Sequence, residues 1–179
     1  ATQLVEIASN LNKNTPILGQ NPSQSDLMAG TWSTSYDIYD SFGNTHELRV
    51  SYRRDPATPN EWIGSVEINP GDDAQQPQLQ IGGVAAAEGD NTFRIRFNNS
   101  GTLESITNAA GGELTEGDLT VDVAFLVPET AIPDVLDPET VDPTFVGQAG
   151  EPVTQEFSIK LGRVGAFENS TTQYSSEST

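Results

Sequence analysis

The feature that most restricts the fold of this chain is an alternation of apolar and polar side chains with a period of two residues. Between residues 47 and 52, Leu48, Val50 and Tyr52 alternate with charged or polar neighbours. Because successive side chains of a strand point to opposite faces of a sheet, this period predicts half-buried strands. Similar segments lie at 31–39, 62–68, 93–97, 119–125 and 157–161, and 102–106 follows a turn as a hairpin partner.

Turn residues separate these segments. Asn69-Pro70-Gly71-Asp72 and Asn98-Asn99-Ser100-Gly101 are strong turn signals. Residues 1–30 lack a sustained helical period, and we predict an extended lead-in with at most one short strand. Six or more short strands without a convincing helix predict an all-β fold, either an antiparallel β-sandwich or a partly open barrel, with long loops and little helix.

An acidic, proline-rich stretch interrupts the strand pattern at residues 128–143, which read PETAIPDVLDPETVDP. Its four prolines exclude a regular helix and a central strand, so we expect a surface excursion. The chain is therefore divided into a lead-in over 1–30, a β domain over 31–165 that contains the excursion, and a polar segment over 166–179.

The charge of the chain excludes two classes of partner. It has 26 acidic and eight basic side chains, with a formal net charge of -18. Such a field repels nucleic acid and anionic membranes, and we predict neither as a partner. The charge is also unevenly distributed, because five arginines lie between residues 49 and 96, whereas residues 97–159 contain acidic side chains and no lysine or arginine. The residues concerned are Arg49, Arg53, Arg54, Arg94 and Arg96, and Glu113, Glu116, Asp134 and Asp137 among the acids.

The absence of cysteine and the presence of a single histidine restrict the possible chemistry. Thiolate nucleophiles and zinc sites built from cysteine are excluded. The segment YDIYDSFGNTHELRVSY places His46 near Asp40, which raises the question of a base dyad or a calcium loop. Its spacing instead predicts a hairpin, in which Asp40 caps the turn and Gly43 or Asn44 has a positive φ. We predict no catalytic residue, no metal site and no cofactor.

The run Ile38-Tyr39-Asp40-Ser41-Phe42-Gly43-Asn44-Thr45-His46 looks like the V-x-V-Y-D-S-x-G-N-x-H hairpin of bacterial flagellar hook proteins and their rod relatives. Together with it, four further segments follow the order of similar segments in that family. The other segments are Asn10-Leu11-Asn12-Lys13-Asn14-Thr15-Pro16, Glu61-Trp62, Phe97-Asn98-Asn99-Ser100-Gly101-Thr102-Leu103 and Asn169-Ser170-Thr171-Thr172-Gln173-Tyr174. The excursion at 128–143 does not align with the family.

The resemblance implies a structural subunit of the hook, the curved tube that joins motor and filament, and not an enzyme. It implies other copies of the subunit as partners, with hook cap and hook–filament junction proteins as further candidates, at the flagellum outside the cytoplasm. Hook proteins have helical termini that line the tube. We therefore expect this chain to be an outer portion, with 166–179 returning toward a missing inner domain, and the isolated fragment to be monomeric.

Two questions stay open at this point. The five arginines could meet the acidic residues of a neighbouring subunit, or they could form ion pairs within one subunit. A second class of function, a carbohydrate-binding or adhesin-type extracellular β-sandwich, would need an exposed row of aromatic side chains. Trp32, Trp62 and the tyrosines are the candidates for that row, although strand aromatics are more often part of a core.

Overall fold

The computed structural model describes residues 1–71, 76–127 and 153–174, and strands predominate among them. The strands are β1 (Leu4–Glu6), β2 (Asn10–Asn12), β3 (Thr31–Tyr39), β4 (Thr45–Arg54), β5 (Glu61–Ile68), β6 (Gln78–Ile81), β7 (Val84–Ala85), β8 (Thr92–Phe97), β9 (Leu103–Thr107), β10 (Glu113–Leu114), β11 (Asp118–Val127), β12 (Val153–Arg163) and β13 (Thr172–Tyr174). A helix, α1, spans Gln24–Gly30. The excursion predicted at 128–143 lies outside the described residues.

The described strands form two large sheets and one small one. The five-stranded sheet has the order β1-β12-β11-β6-β7, and the six-stranded sheet has the order β10-β9-β8-β5-β4-β3. Strands β13 and β2 form a parallel pair, and β1 joins β12 in parallel. The other pairings in the two large sheets are antiparallel. The two edge strands of each large sheet do not pair with each other, so neither sheet closes into a barrel. The predicted antiparallel all-β fold is therefore confirmed, in its sandwich form.

The alternating side chains of both large sheets form one core. Along β4, every second residue from His46 to Tyr52 is buried, and along β11 the same is true from Leu119 to Val127. Residues of both sheets belong to one continuous hydrophobic cluster. The two-residue period therefore identified the buried faces correctly, since a one-residue shift would have exposed every apolar side chain.

Gly64 makes room for the largest side chains of this core. It lies opposite Tyr52 and Phe93 on neighbouring strands. The Tyr52 and Phe93 rings contact edge to face with centroids 5.9 Å apart. A Cβ atom at position 64 would lie 2.3 Å from the Phe93 ring, so only glycine fits.

The first 30 residues depart from the predicted extended lead-in, because they contain two short strands and α1. Ser23 caps α1 by accepting a hydrogen bond from the Asp26 N–H, and the Asp26 carboxylate accepts one from the Ser23 N–H. This capping box starts a helix of only seven residues, which is too short to show a clear helical period. In the described part of the chain, no helix has the length and apolar character needed to cross a membrane.

The beginning and the end of the described chain belong to the same body. Ile7 and Leu11 are fully buried. The Thr171 hydroxyl donates to the Ile7 carbonyl at 3.1 Å and accepts from the Ser9 N–H at 3.3 Å. Next to it, the indole N–H of Trp62 donates to Gln173 Oε1 at 2.8 Å. Contacts between residues more than 100 positions apart therefore complete the core.

Candidate inter-subunit surface

The hairpin turn between β3 and β4 is organised around the buried carboxylate of Asp40, which is 1 % exposed. Its Oδ1 accepts hydrogen bonds from the backbone N–H groups of Phe42 at 2.8 Å and Asn44 at 3.0 Å. Its Oδ2 accepts from Asn44 Nδ2 at 2.9 Å and from His46 Nε2 at 2.8 Å. Gly43 is the residue with positive φ, at 84°. Four donors thus converge on one carboxylate and fix the turn.

Hydrogen bonds hold both ring nitrogens of His46. The Glu47 N–H donates to Asn69 Oδ1 at 2.9 Å, which turns the Asn69 Nδ2 group toward His46 Nδ1, 2.9 Å away. In this arrangement Nδ1 accepts from Asn69 and Nε2–H donates to Asp40. The imidazole packs edge to face on Phe125 of the other sheet, with centroids 5.2 Å apart. This carboxylate–imidazole pair joins the two sheets.

The pKa of Asp40 reflects two opposing effects. Burial is the largest and raises the pKa of this carboxyl group. The hydrogen bonds from His46, Asn44 and the turn backbone act in the opposite direction, and together they leave the pKa below its ordinary value. Asp40 is therefore ionised at neutral pH.

Three of the five arginines singled out in the sequence form ion pairs within the subunit. Arg94 bridges Asp55 and Glu61. Arg96 lies 3.3 Å from Glu61, and Arg49 lies 3.6 Å from Glu47. These pairs lie on the outer face of the six-stranded sheet. Both side chains of the Arg49–Glu47 pair are about 40 % exposed, so this pair contributes little to stability by itself. In the other pairs the arginine is half-exposed, whereas the side chains of Asp55 and Glu61 are only 5 % and 12 % exposed.

Arg53 differs from the other four. The guanidinium of Arg54 donates to the Thr15 carbonyl at 3.1 Å. The exposed side chain of Arg53 has neither an ion pair nor a hydrogen bond within residues 1–71, 76–127 and 153–174. Among the acids, Glu113 lines a small cavity with Arg94 and Arg96, and Glu116 is exposed. Asp134 and Asp137 lie outside the described residues.

The aromatic side chains do not form one exposed row. Trp62 and Tyr52 are each 1 % exposed, and Trp32 is half-buried. Tyr36 and Tyr39 are 40 % and 51 % exposed. Because one of the two indoles lies in the core and is bonded to Gln173, the surface does not match the aromatic platform that a sugar-binding sandwich would need.

A groove of about 390 Å³ lies between α1 and the outer face of the six-stranded sheet. Leu18 and Leu27 contribute apolar side chains on one side, and Ile63 lies in the sheet. Arg53 and Glu67 also line the groove. We call this feature the α1 groove. No signal in the sequence indicated it, since the helix that forms its wall was not predicted.

The described residues contain no group of three or more histidine, aspartate or glutamate side chains that could hold a metal ion. Their polar clusters form turns, ion pairs and contacts between the sheets. A β-sandwich by itself does not define a function, because the same fold carries many functions. The chain belongs to the family described as the flagellar basal body protein FlaE D2 domain, whose family model matches residues 10–179.

Curated relatives carry the name flagellar hook protein FlgE. The protein of Treponema pallidum (strain Nichols) is 31 % identical over 179 residues, which cover 99 % of this chain and 35 % of the relative. The protein of Borreliella burgdorferi (strain ATCC 35210 / DSM 4680 / CIP 102532 / B31) is 30 % identical over 179 residues, which cover 99 % of this chain and 32 % of the relative. The chain thus spans about a third of the length of these relatives.

A solved structure, the 32 kDa fragment of the flagellar hook protein FlgE from Caulobacter crescentus, aligns with 83 % of this chain and 44 % of that chain. The TM-score is 0.43 and the sequence identity is 23 %.

Proposed function

We propose that this chain is part of a structural subunit of the bacterial flagellar hook and that it acts through contacts between copies. The observation that carries the proposal is the match of residues 10–179 to the FlaE D2 domain family. It is supported by two hook proteins that align with nearly the whole chain. The subunit is located at the flagellum outside the cytoplasm, and its function requires no catalysis.

The proposed partners are other copies of the subunit, with hook cap and hook–filament junction proteins at the ends of the tube. A tubular polymer needs heterologous contacts, in which one patch meets a different patch of the next copy. A joint that bends as it rotates needs contacts that are small and polar enough to rearrange. The isolated domain is then monomeric at micromolar concentration.

The contacts of the five arginines support different roles for different members of the set. Arg94 and Arg96 have carboxylate partners in their own subunit, which favours the alternative of internal pairing for these two. Arg53 has no such partner in the described part of the chain and remains the best candidate for a contact between subunits. This assignment is a proposal and depends on the hook function.

The proposal can be tested in the bacterium that encodes the chain. Antibodies against the purified 179-residue domain, applied with gold labels, should mark the hook in electron micrographs of intact flagella. An in-frame deletion of the codons for this domain should give short, straight or absent hooks. Label confined to the filament or to the cell body, or normal hooks in the deletion strain, would refute the proposal.

A further inference from the structure

We propose that the α1 groove receives the acidic, proline-spaced segment 128–143 of a neighbouring copy. The inference rests on the proposed function and specifies one contact of the polymer. It is carried by the chemistry of the groove, by the composition of the segment and by the distance of the groove from the ends of β11 and β12 that flank the segment.

The groove combines apolar walls with a positive charge that has no ion-pair partner in the described part of the chain. Leu27 is 40 % exposed. The side chain of Leu18 packs against Gly30 at the end of α1, where a Cβ atom would lie 2.5 Å from Leu18 Cδ2. Arg53 extends from the sheet beside them. A ligand with both aliphatic side chains and carboxylates would complement this surface.

Arg53 is unusual in a chain of this charge. The chain has 26 acidic residues for eight bases, and yet no carboxylate of the described residues pairs with this guanidinium. Its neighbours in the ladder of the sheet are Thr31 and Ile63, neither of which carries a charge. The acidic residue that lines the groove is Glu67, which is paired in register with Arg49 rather than with Arg53. An acidic ligand from another molecule would meet Arg53 without displacing an internal partner.

The segment 128–143 has the complementary composition. It contains five acidic residues, no basic residue and the aliphatic residues Ile132, Val135, Leu136 and Val141. Prolines at every fifth position restrict the backbone and lower the entropy lost on docking.

The topology places the groove at the end of the molecule opposite to Val127 and Val153, the described residues that flank the segment. Strand β11 ends at Val127 and β12 begins at Val153, near the β3–β4 turn, where Phe125 contacts His46 and Gln155 accepts hydrogen bonds from Ser41. The groove lies at the other end of the same hairpin, beside Arg53. Tyr39 and Thr31, at the two ends of β3, are separated by roughly 26 Å of strand. Copies stacked head to tail along this axis would present the segment of one to the groove of the next.

The experiment uses the 15N-labelled 179-residue chain and a synthetic peptide with the sequence of residues 128–143. The peptide should shift the amide resonances of Leu27, Arg53 and Ile63 with millimolar affinity. Arg53→Glu should weaken binding at least tenfold, and Leu27→Asp should weaken it independently. Arg163→Glu makes the same change of charge at an exposed arginine outside the groove and should bind normally. A peptide with the same composition in scrambled order controls for charge alone.

Three outcomes of the peptide titration would overturn the inference. They are shifts outside the groove, equal binding by Arg53→Glu and the wild type, and equal binding of the scrambled peptide. Docking within one copy would also overturn it. In that case, deletion of 128–143 would change the groove resonances independently of protein concentration. None of these results would alter the gold labelling of the hook, so failure of the inference and failure of the proposed function can be distinguished.

Discussion

At the scale of single residues, the carboxylate of Asp40 organises the β3–β4 turn and its contact with the opposite sheet. Its two oxygens accept four hydrogen bonds and hold the imidazole of His46 against the opposite sheet. A general base would need a free proton-accepting atom that a substrate can reach. The imidazole is 4 % exposed and both of its nitrogens are engaged, so the pair stabilises the fold.

Replacement of Asp40 should destabilise the folded state. Asp40→Ala leaves buried donors of the turn and of His46 without an acceptor, and we expect a loss of about 3 kcal/mol in the free energy of unfolding. Urea denaturation at pH 7 measures it. Asp37→Ala, at an exposed carboxylate of the same hairpin, should change stability by less than about 0.5 kcal/mol. Equal effects of the two variants would contradict the assigned role.

The lowered pKa of Asp40 predicts a defined dependence of stability on pH. Because the folded state lowers this pKa, ionised Asp40 stabilises the fold above the unfolded value of about 3.9. That stabilisation is lost as the pH falls through the folded pKa. The difference in unfolding free energy between the wild type and Asp40→Asn should therefore have its full value above about pH 5. It should become smaller as the pH falls below that value. A difference that stays constant from pH 7 to pH 3 would rule out this linkage.

A substitution at Gly64 tests how tightly the core is packed. In Gly64→Ala, the new methyl group would overlap the Phe93 ring, and we expect a destabilisation of about 2 to 3 kcal/mol. Gly19→Ala is the matched control, because a Cβ atom there meets no atom within 4 Å. Thermal unfolding followed by circular dichroism compares the two. A Gly64→Ala variant as stable as the control would mean that the Tyr52–Phe93 packing is looser than described.

At the scale of elements, three turns share the same pattern of hydrogen bonds and backbone conformation. Asp40, Asn98 and Asn108 each begin a five-residue turn and accept hydrogen bonds from the N–H groups two and four positions later. The fourth residue of each turn is a glycine with positive φ, namely Gly43, Gly101 or Gly111. The pattern Asx-x-x-Gly-x therefore marks hairpin turns in this chain, because the side-chain oxygen replaces backbone acceptors and glycine tolerates the required φ.

These turns should differ in their tolerance of substitution. Gly43→Ala adds only the strain of a positive φ, because nothing lies within 4 Å of its Cβ position, and should cost about 1 kcal/mol. At Gly101 the Cβ atom would also lie 2.2 Å from the Gln173 carbonyl oxygen. The Gln173 N–H donates to the Gly101 carbonyl at 2.8 Å, so Gly101→Ala should disturb the docking of β13 and cost at least twice as much. Chemical denaturation of both variants measures the ratio, and equal costs would disprove the coupling.

At the scale of the whole molecule, the net charge of -18 sets the conditions under which copies can meet. Self-repulsion of this size opposes both compaction and association, and salt screens it over a distance of about 8 Å at physiological ionic strength. Contacts between copies are then favoured at the few surfaces with unpaired positive charge. The α1 groove is such a surface.

The same charge predicts how stability responds to salt. Raising sodium chloride from about 0.01 M to about 0.5 M should raise the melting temperature of the isolated chain, since the Debye length falls severalfold. Replacing the exposed Glu88, Glu116 and Glu168 by glutamine removes three negative charges. It should raise the melting temperature at low salt and reduce the response to salt. A melting temperature that falls with salt would show that internal ion pairs outweigh the self-repulsion.

The sequence by itself determined the local features of this protein. The two-residue period located the long strands and their buried faces, and the turn chemistry of Asp40 and Gly43 located the hairpin, because both depend on residues close together in the chain. The helix α1 was not predicted, because seven residues are too few to show a helical period. It is also supported by a tertiary contact, the packing of Leu18 against Gly30.

Only the tertiary structure decided which distant groups meet. The pairing of β1 with β12 and of β2 with β13 joins residues more than 150 positions apart, and no local pattern encodes that register. The partners of Arg94 and Arg96 and the contact of His46 with Phe125 follow from the way the strands are ordered and packed. The same packing leaves Arg53 without an ion-pair partner among the described residues. The physical reason is that burial specifies which face of a strand turns inward, whereas the choice among possible neighbours depends on the packing of the whole core.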